Sequence, residues 1–122
     1  MTSGDDTMKL PRDAVLLRVF IGEDDKFEKR PLYEAIVLKA REAGLAGATV
    51  LRGPIGYGHS STLHTTKILR LSADLPMVIE LIDTPEKIDA FLPTLDAMMP
   101  SGLVTIEKVQ VLQYGESRNG KA

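Results

Sequence analysis

The sequence predicts an α+β fold in which two helices cover one face of an antiparallel four-stranded sheet. Two segments place apolar residues at helical spacing, and each lies between short apolar runs of strand length. The order is therefore strand–helix–strand, repeated once. Two such units side by side form the ferredoxin-like βαββαβ sandwich. A chain of 122 residues is long enough to build one such domain around a real core.

The first unit begins with an apolar strand and continues into a helix. Residues 14–21 are rich in Val, Leu and Ile, with Arg18 as the one polar interruption. Acidic and basic residues mix over 22–30, which predicts a solvated loop. The spacing of the next segment predicts a helix over 31–43, because its first residue is a proline and Gly44 is a natural left-handed stop.

The second and third strands enclose a polar excursion. The second strand is predicted over 46–55, and a glycine-rich segment then interrupts it. An extended pattern resumes at 67–71, and a bend at 74–76 leads into a buried-type strand at 77–82. The excursion between these strands, residues 56–67, is called the polar loop.

The second helix and the last strand complete the fold. Residues 83–86 offer a capping side chain, an early proline and an acid in the first turn, which together predict a helix start. Pro93 lies inside the helical pattern and is expected to kink it. The segment 100–102 ends the helix, and 103–112 is predicted as the last strand. Its alternation changes phase near Lys108–Val109, which suggests a bulge or a barrel-like bend.

Patterning also predicts an oligomer. Several strands are apolar on both sides, so the sheet face without helices needs cover, which further copies of the chain can supply. Arg18 and Glu80 lie in strands that are neighbours in this topology. We expect them to form a buried or interface ion pair that favours specific packing of subunits more than stability.

Composition excludes several classes of function. The net charge of −2 gives no electrostatic reason to expect nucleic-acid binding. With no cysteine, disulfides, zinc–thiolate sites and cysteine nucleophiles are excluded, and a cytoplasmic location is expected. No apolar run is long enough to span a bilayer. We expect a flexible lead-in over 1–13, one domain over 14–114 and a polar tail over 115–122.

The polar loop and its flanks hold the densest candidate chemistry. Glycines allow backbone N–H groups to approach a phosphate, and the flanking cations Arg52, Lys67 and Arg70 can neutralise it. The alternatives are a flexible hairpin and surface cations on strand edges. His59 and His64 can ligate a metal, but nearby acidic ligands are lacking. A catalytic pair of a loop serine with His64 lacks an orienting acid, so we expect no enzyme.

Four segments, in this order along the chain, resemble the PII-like proteins, and most closely the branch catalogued as a domain of unknown function. They are Arg18–Glu23, Pro31–Ile36, Gly44–Val50 and Leu75–Glu80. The resemblance implies a PII-like homotrimer with a flexible T-loop between the second and third strands, here residues 56–67. It also implies an adenine nucleotide in a cleft between subunits. A membrane transporter or fluoride-channel-type protein is the implied docking partner.

The sequence departs from classical PII proteins where they carry a basic phosphate loop. The equivalent segment, 99–103, is short and has no Lys or Arg, which favours AMP or ADP over ATP. We expect Arg52–Gly58 to touch the ligand and residues 59–66 to move or dock. The candidate nucleotide-binding residues are Arg52, Gly53, Gly56, Tyr57, Gly58, His59, Ser60, His64, Lys67 and, from the opposite wall of the cleft, Gly102.

Two other functions remain open at this point. The protein can be a trimeric adaptor for a membrane transporter or channel that needs no small ligand. It can also be a metal-binding trimer in the style of the related copper-tolerance proteins, with His59 and His64 as ligands.

Overall fold

The computed structural model describes residues 12–58, 64–65 and 74–115. The elements in these ranges are, in chain order, β1 (Asp13–Gly22), β2 (Lys26–Phe27), β3 (Arg30–Pro31), α1 (Leu32–Glu42), β4 (Gly47–Arg52), β5 (Ile55–Gly56), β6 (His64–Thr65), β7 (Pro76–Asp83), α2 (Pro85–Met98) and β8 (Leu103–Gln110).

The main sheet has four strands in the order β4-β7-β1-β8, and every neighbouring pair is antiparallel. Both helices pack on one face of this sheet, which confirms the predicted ferredoxin-like fold. Neither helix in the described ranges is long and apolar enough to cross a membrane.

The core lies between the sheet and the two helices. Every second residue of β1 and β7 is buried, as expected for strands with one face covered. Both helices direct apolar side chains toward the same layer. The largest fully buried side chains are Leu17, Val19, Ile79 and Leu81 from the sheet, and Leu32, Ile36, Ile88 and Leu95 from the helices.

The two helices begin differently. Thr84 caps α2, because its Oγ1 accepts a hydrogen bond of 3.2 Å from the backbone N–H of Lys87, and α2 then continues through Pro93 to Met98. The predicted first helix begins one residue late. Pro31 has extended backbone and pairs with Lys26, so it precedes α1 instead of forming its first turn.

The predicted solvated loop over 22–30 is wrong in part, because it contains a short hairpin. Strands β2 and β3 pair antiparallel and are joined by Glu28 and Lys29, whose φ values are 50° and 70°. Two consecutive positive φ values match the tight turn that suits the twist of a hairpin. Asn and Gly usually signal that turn, and two charged residues gave no such signal.

The predicted bulge near Lys108–Val109 is also wrong. Strand β8 pairs with β1 in unbroken register from Leu103, opposite Phe20, to Gln110, opposite Asp13. The strand is an edge of the sheet and is exposed along nearly its whole length. Because neither of its faces is well covered, its side chains need not alternate between apolar and polar.

The sheet face opposite the helices, called the open face below, carries an ion network in an apolar setting. Arg18 Nε donates to Glu80 Oε2 at 3.0 Å, as the sequence predicts. Arg18 Nη1 also donates to Glu107 Oε1 at 2.7 Å, a second partner that the sequence analysis missed. The hydrogen bonds that Arg18 donates to Glu107 and then to Glu80 raise the pKa of Arg18 above its ordinary value. All three side chains remain partly exposed in the single chain.

Candidate functional site

The polar loop leaves the main sheet at one end, called the loop end below. Strand β4 finishes there at Arg52, and its neighbour β7 begins there at Pro76. The backbone N–H of Gly53 donates to the carbonyl of Pro76 at 2.8 Å. The chain therefore leaves the sheet along two adjacent segments. They are called the first arm, residues 52–58, and the second arm, residues 74–76.

A short antiparallel ribbon continues beyond this point. Ile55 pairs with Thr65, and Gly56 pairs with His64. The polar loop is therefore not irregular throughout, because its first residue and two residues near its end are paired strands. Of the candidate residues, His59, Ser60 and Lys67 lie outside the described residues, as does the flanking Arg70.

Two of the candidate glycines have a packing reason to be glycine. A Cβ atom on Gly53 would lie 3.0 Å from Pro76 Cγ, and one on Gly56 would lie 3.1 Å from the same atom. The first arm thus passes closely over the proline ring that begins β7. Gly58 is different, because a Cβ there would meet no atom within 4 Å.

Arg52 is held by a carboxylate that the sequence analysis did not single out. Its Nη2 donates to Glu23 Oε2 at 2.6 Å. The side chain of Arg52 is 55% exposed, whereas that of Glu23 is 25% exposed. Glu23 follows the end of β1, and β1 ends at the same end of the sheet as β4. That shared end was the only signal in the sequence that could have suggested the pair.

The turn after β1 also contacts the second arm. The backbone N–H of Glu23 donates to the carbonyl of Leu75 at 2.8 Å, and that of Asp24 donates to Asp74 Oδ1 at 2.7 Å. Glu23 therefore contacts both arms of the polar loop, one through its side chain and the other through its backbone.

Gly102 lies at the loop end as well, but at the other edge of the sheet. It precedes β8 and has a φ of 134°, a backbone conformation that residues with a side chain rarely adopt. A Cβ at this position would lie 2.6 Å from Met99 Cε and 3.1 Å from the carbonyl oxygen of Phe20. Within one chain, the fold does not bring Gly102 together with Arg52, because β7 and β1 lie between their strands.

Apolar side chains are exposed around the loop end. Tyr57 is 69% exposed on the first arm, and Ile55 is 54% exposed in β5. On the main sheet, Leu51 in β4 and Leu103 in β8 are about half exposed. A surface of this kind is typical of a site that another molecule covers.

The described residues contain no group of three or more His, Cys, Asp or Glu side chains arranged to hold a metal ion. A cavity of about 530 Å³ lies away from the polar loop, at the opposite end of the sheet. Its lining includes Asp13, Pro85 and Lys108.

Comparison with known proteins places the chain in a family. The family model DUF190, described as an uncharacterized ACR, matches residues 14–111. A UPF0166 protein of Aquifex aeolicus (strain VF5) is 42% identical over 97 residues, which are 80% of this chain and 91% of that relative. The UPF0166 protein MJ1524 of Methanocaldococcus jannaschii is 36% identical over 99 residues, again 80% of this chain and 91% of the relative.

Solved structures of CPII, a nitrogen regulatory PII-like protein from Thiomonas intermedia K12, share the fold. One, of CPII bound to ADP, AMP and bicarbonate, superimposes with a TM-score of 0.54 at 20% identity and covers 87% of this chain and 93% of CPII. Another, of CPII bound to ADP and bicarbonate, gives a TM-score of 0.53 at 22% identity and covers 87% and 94%. The resemblance to PII-like proteins is therefore confirmed at the level of the fold.

Proposed function

This chain belongs to the DUF190 family, and on that premise we propose that it is a PII-like signalling protein. It binds an adenine nucleotide, AMP or ADP, in a cleft between the subunits of a cytoplasmic homotrimer, and it regulates a partner through the polar loop. Both CPII structures have the same fold and contain ADP, and one of them also contains AMP. We propose sensing instead of catalysis, because the described part of the candidate site offers the guanidinium of Arg52 and backbone groups but no rigid acid–base pair.

The placement of Arg52 and Gly102 is the observation that carries the proposal of a shared cleft. Both residues lie at the loop end, but β4 and β8 are the two outer strands of the sheet. Three strand spacings of 4.7–4.9 Å separate these strands by roughly 14 Å. One chain therefore cannot close both walls around a nucleotide, whereas two copies with adjacent edges can.

The directions of the edge strands allow that arrangement. Strand β4 runs toward the loop end, and β8 runs away from it. If β4 of one copy lies beside β8 of the next, Arg52 of the first and Gly102 of the second meet at the same end. Such a head-to-tail contact forms a closed ring when its rotation closes after three copies.

The open face supports assembly in the same way. Leu51 and Leu103 are exposed at the two edges of this face, and Val78 and Phe20 join them in one row on the loop-end side of the Arg18 ion network. Contiguous apolar surface of this kind is rarely left in water. Packing three open faces together covers these side chains and leaves the loop ends accessible.

The proposed ligand follows from the charge available. Arg52 supplies a guanidinium at the root of the polar loop, where a phosphate can accept paired hydrogen bonds. The segment 99–103 brings no cation from the other wall. We therefore propose AMP or ADP over ATP.

The regulatory half of the proposal rests on exposed apolar side chains in the loop arm. Ile55 and Tyr57 project from a segment whose neighbours are mainly polar and glycine. Aromatic anchors of this kind contribute strongly to protein interfaces. We propose a membrane transporter or a fluoride-channel-type protein as the docking partner.

Isothermal titration calorimetry with AMP, ADP, ATP and cyclic AMP tests the ligand. We expect saturable binding of AMP or ADP, with ATP weaker. No binding of any of the four at millimolar concentration would overturn the proposed function.

A subunit-mixing experiment tests the shared cleft. Homotrimers of Arg52→Ala and of Gly102→Ala should each bind the nucleotide poorly, because each substitution damages one of the two walls of the cleft. In randomly mixed trimers of the two variants, about a quarter of the clefts should contain both native walls and should recover binding. Circular dichroism and size-exclusion chromatography of each variant control for folding and assembly. If both variants fold and assemble but their mixed trimers do not recover nucleotide binding, the cleft does not lie between subunits.

A further inference from the structure

We propose that Glu23 limits the affinity of the nucleotide site, because its carboxylate already binds the guanidinium that a ligand phosphate must reach. This inference rests on the proposed function and adds a residue to it. Arg52 Nη2 lies 2.6 Å from Glu23 Oε2, a short charge-assisted hydrogen bond. A phosphate that binds Arg52 therefore competes with a carboxylate that is already in place.

The competition lowers the affinity of every ligand that must displace Glu23 from Arg52. A phosphate monoester carries between one and two negative charges at neutral pH and has three strong acceptor oxygens, so it can displace a carboxylate that carries one charge. A nucleoside has no phosphate and does not need Arg52, so Glu23 does not weaken its binding. Glu23 therefore sets how tightly the site holds a phosphorylated ligand.

The same residue links ligand binding to the polar loop. The backbone N–H of Glu23 holds Leu75 of the second arm, while its carboxylate holds Arg52 of the first arm. The first arm retains its own bond to the second, from Gly53 to Pro76. When a phosphate binds Arg52, the hydrogen bond between Arg52 and Glu23 is lost, so the first arm is no longer held to the turn after β1. The second arm keeps its backbone hydrogen bond from Glu23 to Leu75.

The position of the pair makes such an exchange feasible. Arg52 is more than half exposed, so its guanidinium can rotate toward a ligand without leaving a buried site. Glu23 is less exposed and lies in a turn that several backbone hydrogen bonds fix. The arginine is therefore the mobile partner, and the glutamate is the fixed one.

The test compares Glu23→Gln with the wild-type trimer. The substitution keeps the shape of the side chain and removes its charge, so we expect AMP or ADP to bind on the order of tenfold more tightly, which corresponds to about 1.4 kcal/mol. The affinity for adenosine, which has no phosphate to contact Arg52, should not change. Glu34→Gln is the matched control, because Glu34 also pairs with an arginine, Arg30, at a longer 3.9 Å and away from the loop arms.

Hydrogen exchange without nucleotide tests the link to the loop. In Glu23→Gln, peptides that contain Gly53–Gly58 should exchange several-fold faster than in wild type, and Glu34→Gln should leave them unchanged.

The outcomes separate this inference from the proposed function. If wild type binds no adenine nucleotide, the proposed function fails and the inference fails with it. If wild type binds ADP or AMP and Glu23→Gln binds no more tightly, only the inference is overturned. Unchanged exchange at Gly53–Gly58 in the variant overturns the link between Glu23 and the loop.

Discussion

The two ends of the sheet are fastened in opposite ways. At the end away from the polar loop, the buried carboxylate of Asp83 accepts hydrogen bonds from the backbone of Ala46 at 2.8 Å and Thr84 at 2.6 Å. At the loop end, the corresponding tie is the exposed pair of Glu23 and Arg52. A buried carboxylate with its hydrogen bonds satisfied is costly to disturb, whereas an exposed ion pair exchanges partners at little cost.

Further contacts strengthen the first end. Lys87 Nζ donates to the carbonyl of Gly44 at 2.7 Å, and the hydroxyl of Tyr114 donates to the carbonyl of Ala46 at 2.9 Å. The connection between α1 and β4 is thus held by α2, β7 and the segment after β8. One end of the sheet is therefore a fixed anchor, while the other is tied by an ion pair that can exchange partners.

The largest expected effect comes from breaking the anchor. Asp83→Ala leaves two backbone N–H groups without their buried acceptor, and we expect a loss of about 2–4 kcal/mol in the free energy of unfolding. Urea denaturation measures the loss. Asp89→Ala, at an exposed position in α2, is the control and should change stability little. A similar loss in both variants would contradict an anchoring role for Asp83.

A smaller effect is expected at the turn that holds the loop arms. A Cβ on Gly22 would lie 2.7 Å from both carboxylate oxygens of Asp74, so Gly22→Ala must displace that side chain. We expect a loss of about 1–3 kcal/mol, because the displaced carboxylate of Asp74 gives up its hydrogen bond from the backbone N–H of Asp24. Thermal unfolding gives the loss, and hydrogen exchange at Asp24 shows whether its bond to Asp74 is weakened.

The control for this variant is Gly58→Ala, because a Cβ at Gly58 meets no atom within 4 Å. Stability and exchange should stay near wild type there. If Gly22→Ala behaves like the control, the close contact with Asp74 is not what fixes the turn.

The smallest expected loss of stability is at the anchor, the end of the sheet held by Asp83. Tyr114→Phe removes one hydrogen bond to Ala46, which is worth about 0.5–1.5 kcal/mol. Chemical denaturation should detect this loss, while nucleotide affinity should not change because the bond lies far from the loop end. A change in affinity without a change in stability would show that the two ends are not independent.

The main elements of the fold could be predicted because their periodicities are strong. The apolar run of β7 corresponds to a buried layer, and the capping signal at Thr84 corresponds to a helix end. The hairpin after β1 was missed because its turn is formed by Glu28 and Lys29, residues with no turn preference. The bulge in β8 was predicted wrongly because an edge strand exposed on both faces imposes no alternation.

The candidate site could be located but not assembled from the sequence. Glycine content identified Gly53 and Gly56, yet the structure gives both a packing role against Pro76. The partners Glu23 and Glu107 were missed because each depends on strand register, which one sequence does not reveal. The assignment of the candidate residues to a nucleotide stays a prediction.

The bond between Gly53 and Pro76 has a consequence for how proteins with this fold can diversify. This bond joins the two ends of the segment between Gly53 and Pro76, at a point where β4 and β7 are already adjacent. The fold of the sheet therefore does not depend on the length of that segment. Doubling the length of a closed loop costs only about 0.6 kcal/mol in chain entropy. Recognition segments of different length and sequence can therefore be exchanged above this closure, and new partners can be acquired by insertion or replacement without redesign of the core.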